Sequence, residues 1–322
     1  MEPTCAACAM EWSIQLEKGL RSSKPGVPVK AILKLGPHLQ LWSREFESGI
    51  DSNAIFGLVP GEDRLFANAI LLRLADAFRG GDKEIRFSIV RVFLFERKHR
   101  DNGKHKQCKG LLSKAIVANH LEMLKRVKSV FQNGDSESKA LALVLFGCWA
   151  DFANDNVQIR YLILSSLVST HDCEVITSLF AAGCFCEISD DFACITLEML
   201  FNMIGLQLIL NSSNEDLLVA MLFSLSKLAS VSTVLASNEV DFLLSFVKRE
   251  VASHVQETAS KCIHYLLKNN PALKLYCNES FELPDGQTLE HSPSEDQAWK
   301  DDWRDDEIVE LKNLFPDLEA PL

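Results

Sequence analysis

Cys5 and Cys8 stand two residues apart, which is the spacing of half a zinc site or of a redox-active dithiol. A closed tetrahedral zinc site needs four ligands. The nearest later group, His171, Cys173, Cys184 and Cys186, is irregularly spaced and falls within segments that read as helix. No second Cys-x-x-Cys follows, so the expected reading is buried or terminal thiols and no metal. The eight histidines are scattered, and none stands in a recognisable nucleophile setting beside a cysteine. Gly-x-x-x-x-Gly-Lys-Ser/Thr and Gly-x-Gly-x-x-Gly are both absent from the sequence, so no phosphate-cradling loop is written in it, and no cofactor is expected. These observations point away from an enzyme.

Two charged stretches are better candidates for binding. The first runs from Arg97 to Lys114 and holds Arg97, Lys98, Arg100, Lys104, Lys106, Lys109 and Lys114; Lys125, Arg126 and Lys128 follow. Such a basic ridge could contact nucleic-acid phosphates or an acidic partner, this protein's own tail included. No aromatic residues interleave for base stacking, and charge runs usually form solvated faces. The second stretch lies in the tail. Residues 278–322 carry 14 acidic and 3 basic residues, whereas the remaining chain carries 30 of each sign. The net charge of −11 therefore belongs to the tail, and the neutral body has no general attraction for nucleic acid or an anionic membrane. Within the tail, Ile308, Leu311, Leu314 and Phe315 share a helical face, with Trp299 and Trp303 as further anchors. An acidic segment with one apolar stripe either folds into a partner's groove or simply solubilises the chain.

The elements that must carry these residues follow from periodicity. The chain has 322 residues, of which 47% are hydrophobic and 24% charged, enough to build a core. Glycine, proline and tyrosine are too sparse for an all-β sandwich. Leu141, Val144, Leu145, Cys148, Trp149 and Phe152 repeat at helical spacing behind the turn pair Asn133-Gly134 and the capping residues Asp135 and Ser136. From Arg64 to Phe78 the apolar residues Leu65, Phe66, Ala69, Ile70, Leu72, Leu74, Ala77 and Phe78 predict burial on two sides, ended by Gly80-Gly81. Ile85 to Ile89 alternates like a strand, but Ile85, Ile89, Val92 and Phe93 fit a helix, which is the reading taken.

Helices are predicted at 11–22, 28–47, 63–79, 83–97, 108–118, 119–132, 136–153, 156–169, 172–182, 188–209, 214–229, 237–248 and 251–269, with loops at 48–62 and 98–107. Helical hairpins with short polar separators and a period of about 40 residues per pair are the mark of HEAT or armadillo arrays. The expected organisation is a flexible N-terminus over 1–10, an armadillo/HEAT-type α-solenoid over 11–277, and a disordered acidic tail over 278–322. The start at Met1-Glu2-Pro3-Thr4 is not that of a secretory signal, and the longest apolar run, Ala140 to Ala150, is too short to span a bilayer. An intracellular chain with reduced thiols is expected.

Two stretches resemble a known family. Leu16-Glu17-Lys18-Gly19-Leu20-Arg21-Ser22-Ser23-Lys24, and Asn68-Ala69-Ile70-Leu71-Leu72-Arg73-Leu74-Ala75-Asp76-Ala77-Phe78-Arg79-Gly80-Gly81 followed by Ile85-Arg86, are similar to the N-terminal portion of the Integrator complex subunit 7 family. The similarity extends over about residues 16–270 in pattern. It implies a nuclear α-solenoid scaffold in an assembly bound to RNA polymerase II, which cleaves nascent small nuclear RNAs through a different subunit. Other Integrator subunits and RNA polymerase II are the partners it implies, and it supplies no catalytic residue to carry over. Family members continue through many more helices, so this sequence departs from them after its acidic tail. Two other readings of the residues remain open: a transport or trafficking adaptor of the same fold, and an RNA-binding module using the basic ridge.

Overall fold

The computed structural model describes residues 5–40, 62–101, 112, 117–209, 215–229, 233–247 and 253–270. Among the described residues there are helices and no strands. In chain order they are α1 (Cys5–Leu20), α2 (Val27–Leu33), α3 (Glu62–Gly80), α4 (Lys83–Asp101), α5 (His120–Asn133), α6 (Ser136–Cys148), α7 (Ala150–Ala153), α8 (Val157–Leu167), α9 (Asp172–Cys186), α10 (Asp190–Ile209), α11 (Glu215–Ala229), α12 (Thr233–Val247) and α13 (Ser253–Asn269). They fall in two compact units, one within Met1–Ile163 and one within Leu164–Pro316.

In the first unit the packing is that of stacked hairpins. The pairs α1/α2, α3/α4 and α5/α6 each pack as a hairpin. The leading helices also pack on one another, α1 on α3 and α3 on α5, and the returning helices do the same, α2 on α4 and α4 on α6. Two helical layers result, and each inner helix has neighbours on several sides. That is why α6 is buried from Ala140 through Cys148. Fully burying a Leu or Phe stabilises by about 1.5–3 kcal/mol, so these runs of buried apolar residues are the main force holding the layers together. Trp149 closes this core, edge-on to Phe93 at 5.2 Å and tilted against Phe152 at 5.5 Å.

The second unit repeats the scheme. α9, α11 and α13 form one layer, and sequential neighbours from α9 to α13 pack pairwise. α10 meets α12 through Phe201 and Phe242, edge to face at 5.4 Å. The helices of the first layer begin at Asp172, Glu215 and Ser253, close to the expected repeat of about 40 residues. In the first unit α1, α3 and α5 begin at Cys5, Glu62 and His120, a longer repeat. Buried hydroxyls within these helices bond back to the carbonyl four residues earlier: Thr177 to Cys173 at 2.7 Å, Thr196 to Phe192 at 2.8 Å and Thr258 to His254 at 2.8 Å.

The helical, stacked-hairpin architecture agrees with the fold expected from the sequence, and the ambiguous segment at Ile85 lies within α4. Several boundaries differ, each for a local reason. α1 starts at Cys5, because the Ala-rich first turn is a good helix former and Ala9 is buried. The helix predicted over 28–47 is interrupted by a turn at Lys34 and resumes over 35–40. Pro37 has no N–H to bond back to the carbonyl of Leu33, so the ladder breaks there. The segment 136–153 is two helices, separated at Trp149, whose backbone (φ −100°, ψ 17°) leaves the helical region. α4 runs four residues past its predicted end to Asp101. Val117 to Asn119 form no helix, and most of the helix predicted over 108–118 lies outside the described residues, as does the tail. Leu65, expected in the core, is exposed.

Glycine is needed at Gly26, where φ is 74° ahead of α2, and at Gly19, where a Cβ would lie 2.2 Å from that of Ala31. α1 and α2 therefore approach closely enough to exclude even a methyl group at this point.

Candidate interaction surface and inter-helix contacts

Polar side chains bridge consecutive helices of the α1–α3–α5 layer. From α3, the guanidinium of Arg73 donates to Ser13 Oγ and, at 2.7 Å, to Glu17 Oε2, both on α1. From α5, Arg126 donates back to α3, to Asp76 Oδ2 at 2.5 Å and to the Leu72 carbonyl at 3.1 Å, while its Nε meets Glu122 on its own helix at 3.2 Å. The Asn119 N–H donates to Asn68 Oδ1 at 3.3 Å, and Lys128 Nζ donates to Gln158 Oε1 on α8 at 2.5 Å. In the other layer Arg86 on α4 donates to the Phe78 carbonyl at 3.0 Å and to Ser138 Oγ at 2.7 Å, and Lys83 pairs with Glu137 at 2.7 Å. Charge-assisted bonds from a rigid guanidinium fork fix direction as well as distance, so these arginines set the register of one helix on the next.

The α6 start is fixed similarly. Asp135 is its N-cap and accepts from the Ser138 N–H at 2.9 Å. Hydrogen bonding from Ser138, side chain and backbone, with Arg86 nearby, holds the Asp135 carboxyl below the usual aspartate range.

Several large apolar side chains on these helices and on α8 are exposed. Met10 and Ile14 on α1, Leu65 on α3, Leu121 on α5, and Val157 and Tyr161 on α8 are each more than half exposed. Lys18 and Arg21 continue the Met10–Ile14 face of α1 at helical spacing, and Lys125 and Lys128 continue the Leu121 face of α5. Each of these two helices thus shows apolar side chains followed by basic ones. Such a face suits a protein partner that offers apolar anchors and negative charge.

The charged residues singled out from the sequence separate into different environments. Arg126 is largely buried and engaged with α3, and its side chain is 15% exposed. Lys125 is exposed, and Lys128 is half-buried beside Gln158. Arg97 lies half-buried near the end of α4, with interactions of its own. Lys98 and Arg100 belong to α4. Lys104, Lys106, Lys109 and Lys114, like Trp299, Trp303, Ile308, Leu311, Leu314 and Phe315 in the tail, lie outside the described residues. Among the described residues no group of three or more His, Cys, Asp or Glu side chains is placed to hold a metal ion. Cys148, Cys184, Cys186 and Cys262 are buried as small apolar side chains. No described helix is long and apolar enough to cross a membrane. The sequence reading missed Arg73 and Arg86 as bridging residues; both lie inside the stretch quoted for the family resemblance or directly after it.

A family model described as Integrator complex subunit 7, N-terminal, matches residues 64–207, which run from α3 to α10. Integrator complex subunit 7 of Danio rerio is 24% identical over 293 residues, 81% of this chain and 27% of that protein. The Homo sapiens protein of the same name is 23% identical over 291 residues, 80% of this chain and 27% of that protein. The chain therefore spans about a quarter of the length of these relatives. Among solved structures, an engineered protein aligns with a TM-score of 0.47 at 13% identity, covering 80% of this chain and 99% of its own. A designed armadillo repeat protein aligns with a TM-score of 0.43 at 11% identity, covering 80% and 98%. The family resemblance read from the sequence agrees with these matches: the chain is similar to the N-terminal part of Integrator complex subunit 7.

Proposed function

We propose that this relative of Integrator complex subunit 7 is a non-catalytic scaffold within the Integrator complex, which holds other protein subunits on a helical-repeat surface. One observation carries the reading: the family match covers the stretch from α3 to α10, where the stacked hairpins and the bridging arginines lie. The repeat domain over 11–277 supplies docking area, and neither the sequence motifs nor the described side chains supply a nucleophile, a metal set or a phosphate cradle. In this reading the chain acts in the nucleus, supports small nuclear RNA 3′-end processing, and reaches RNA polymerase II through its fellow subunits. The outward face bearing Leu121, Lys125, Val157 and Tyr161 is the docking surface for an acidic protein segment with apolar anchors. The basic residues from Arg97 to Lys109 are a further candidate contact for an acidic partner, and the acidic tail over 278–322, with Trp299, Trp303 and the Ile308–Phe315 stripe, is a separate interaction motif.

The test is affinity purification of the tagged chain from nuclear extract, with mass spectrometry of what accompanies it. Integrator subunits and RNA polymerase II are expected. The double variant Leu121→Asp, Tyr161→Glu should lose at least tenfold of that capture with an unchanged melting curve, because both side chains are already in water. Recovery of transport receptors or vesicle proteins in their place would overturn the assignment.

A further inference from the structure

Glu239 on α12 is fully buried, and so is the side chain it meets, Ser226 on α11. Ser226 Oγ lies 2.9 Å from the Leu222 carbonyl and 2.8 Å from Glu239 Oε1. A hydroxyl has one proton to give, and a carbonyl oxygen can only accept. Thr177, Thr196 and Thr258 give theirs to the carbonyl four residues back, and the geometry of Ser226 is the same. If Ser226 does likewise, the contact with Glu239 needs a second proton, which only the carboxyl can bring. We propose that Glu239 is held as a neutral carboxylic acid that donates to Ser226 Oγ, a proton-dependent latch between α11 and α12.

The surroundings agree. Among the described residues Glu239 Oε2 has no hydrogen-bond partner, which suits a neutral acid far better than a buried anion. Burial pushes the Glu239 carboxyl up to about 8, with the Ser226 hydrogen bond pulling the other way. Among the described side chains, the charged groups on the packed elements are exposed or half-exposed. On α11, Glu215 is exposed beside His254 of α13. On α13, Glu257 and Lys261 are exposed and pair with each other, and His264 and Lys268 lie across the helix from its buried face of Val255, Ala259, Cys262 and Leu266. On α10, Asp190, Asp191 and Glu198 are exposed, as is Asp241 on α12 itself.

The sign follows from linkage. The folded-state pKa is raised, so the latch is at full strength below the ordinary glutamate range and is lost as pH rises through about 8. The experiment compares urea unfolding of the full chain with that of Glu239→Gln, an uncharged isostere that still donates, at pH values between about 5 and 9. The ratio of their folding constants, parent over variant, should fall about tenfold per pH unit and level off above about 8. A ratio that stays constant across the range would overturn the proposal. A second measurement avoids any variant: with 13C-labelled glutamate carboxyls, one resonance should keep its protonated position at about pH 6.5 after the others have moved. If every glutamate carbon is at its ionised shift there, the latch does not exist.

Discussion

Replacing Arg126 with alanine would remove a side chain that ties α5 to α3. Three bonds go with it: the 2.5 Å pair with Asp76, the 3.1 Å bond to the Leu72 carbonyl and the 3.2 Å contact with Glu122. The two carboxylates are 45% and 46% exposed, so solvent screens each pair, and about 0.2–1 kcal/mol apiece is appropriate. The bond from a largely desolvated guanidinium to a main-chain carbonyl adds about 1.5 kcal/mol. With the packed stem of the side chain, the expected loss is about 2 kcal/mol. Urea unfolding followed by tryptophan fluorescence measures it, since Trp149 is fully buried in the same unit. Arg126→Met, which keeps the stem, should recover part of the loss. A double-mutant cycle with Asp76→Asn should show a coupling of about 0.5–1 kcal/mol. If Arg126→Ala cost less than about 0.5 kcal/mol, the bridging role would be refuted, and Arg126 would return to the set of basic residues free to meet a partner.

Gly19→Ala places a methyl group where Ala31 already stands, with Cβ atoms 2.2 Å apart, and should destabilise by about 1–3 kcal/mol despite the better helix propensity of alanine. Adding Ala31→Gly should restore most of the urea midpoint, which a purely local helix effect would not do. Asp135→Ala should cost about 1 kcal/mol through loss of the α6 N-cap. Because the Asp135 carboxyl titrates below its usual range when folded, its contribution is complete above that range and is lost as pH falls through the folded value. Asp135→Asn should keep the cap while flattening the stability curve in acid, as read from urea midpoints between about pH 2.5 and 6.

Helix periodicity is a local property, and so it was legible in the sequence. The run from Leu141 to Phe152, the stop at Gly80-Gly81 and the cap at Asp135 each depend on residues within a turn or two of one another. Glu239 was legible in principle as well, since it falls on the same helical stripe as Ala236, Val240 and Leu243 and so interrupts an apolar face. The break at Trp149 was not legible. The apolar spacing runs on unbroken through it, and only the packing of the indole against Phe93 and Phe152 shows what stands at the turn.

The side chains that matter between helices divide the same way. The sequence by itself determined that the chain is helical, that its helices come in hairpins, that its body is neutral and its tail acidic, and that it resembles a scaffold family. It could not distinguish Arg126 from Lys125, one residue apart and alike in charge. One points back into the groove against α3, where Asp76 and the Leu72 carbonyl await it, and the other points to water. It could not show that Leu65, apolar among apolar neighbours, would face outward while Ala67, Ile70 and Leu71 went in. Which face of a helix is buried depends on how many neighbours surround it, and those neighbours arrive from some fifty residues away. Tertiary structure decided these points because burial and partnership are properties of the assembled layers, not of the segment.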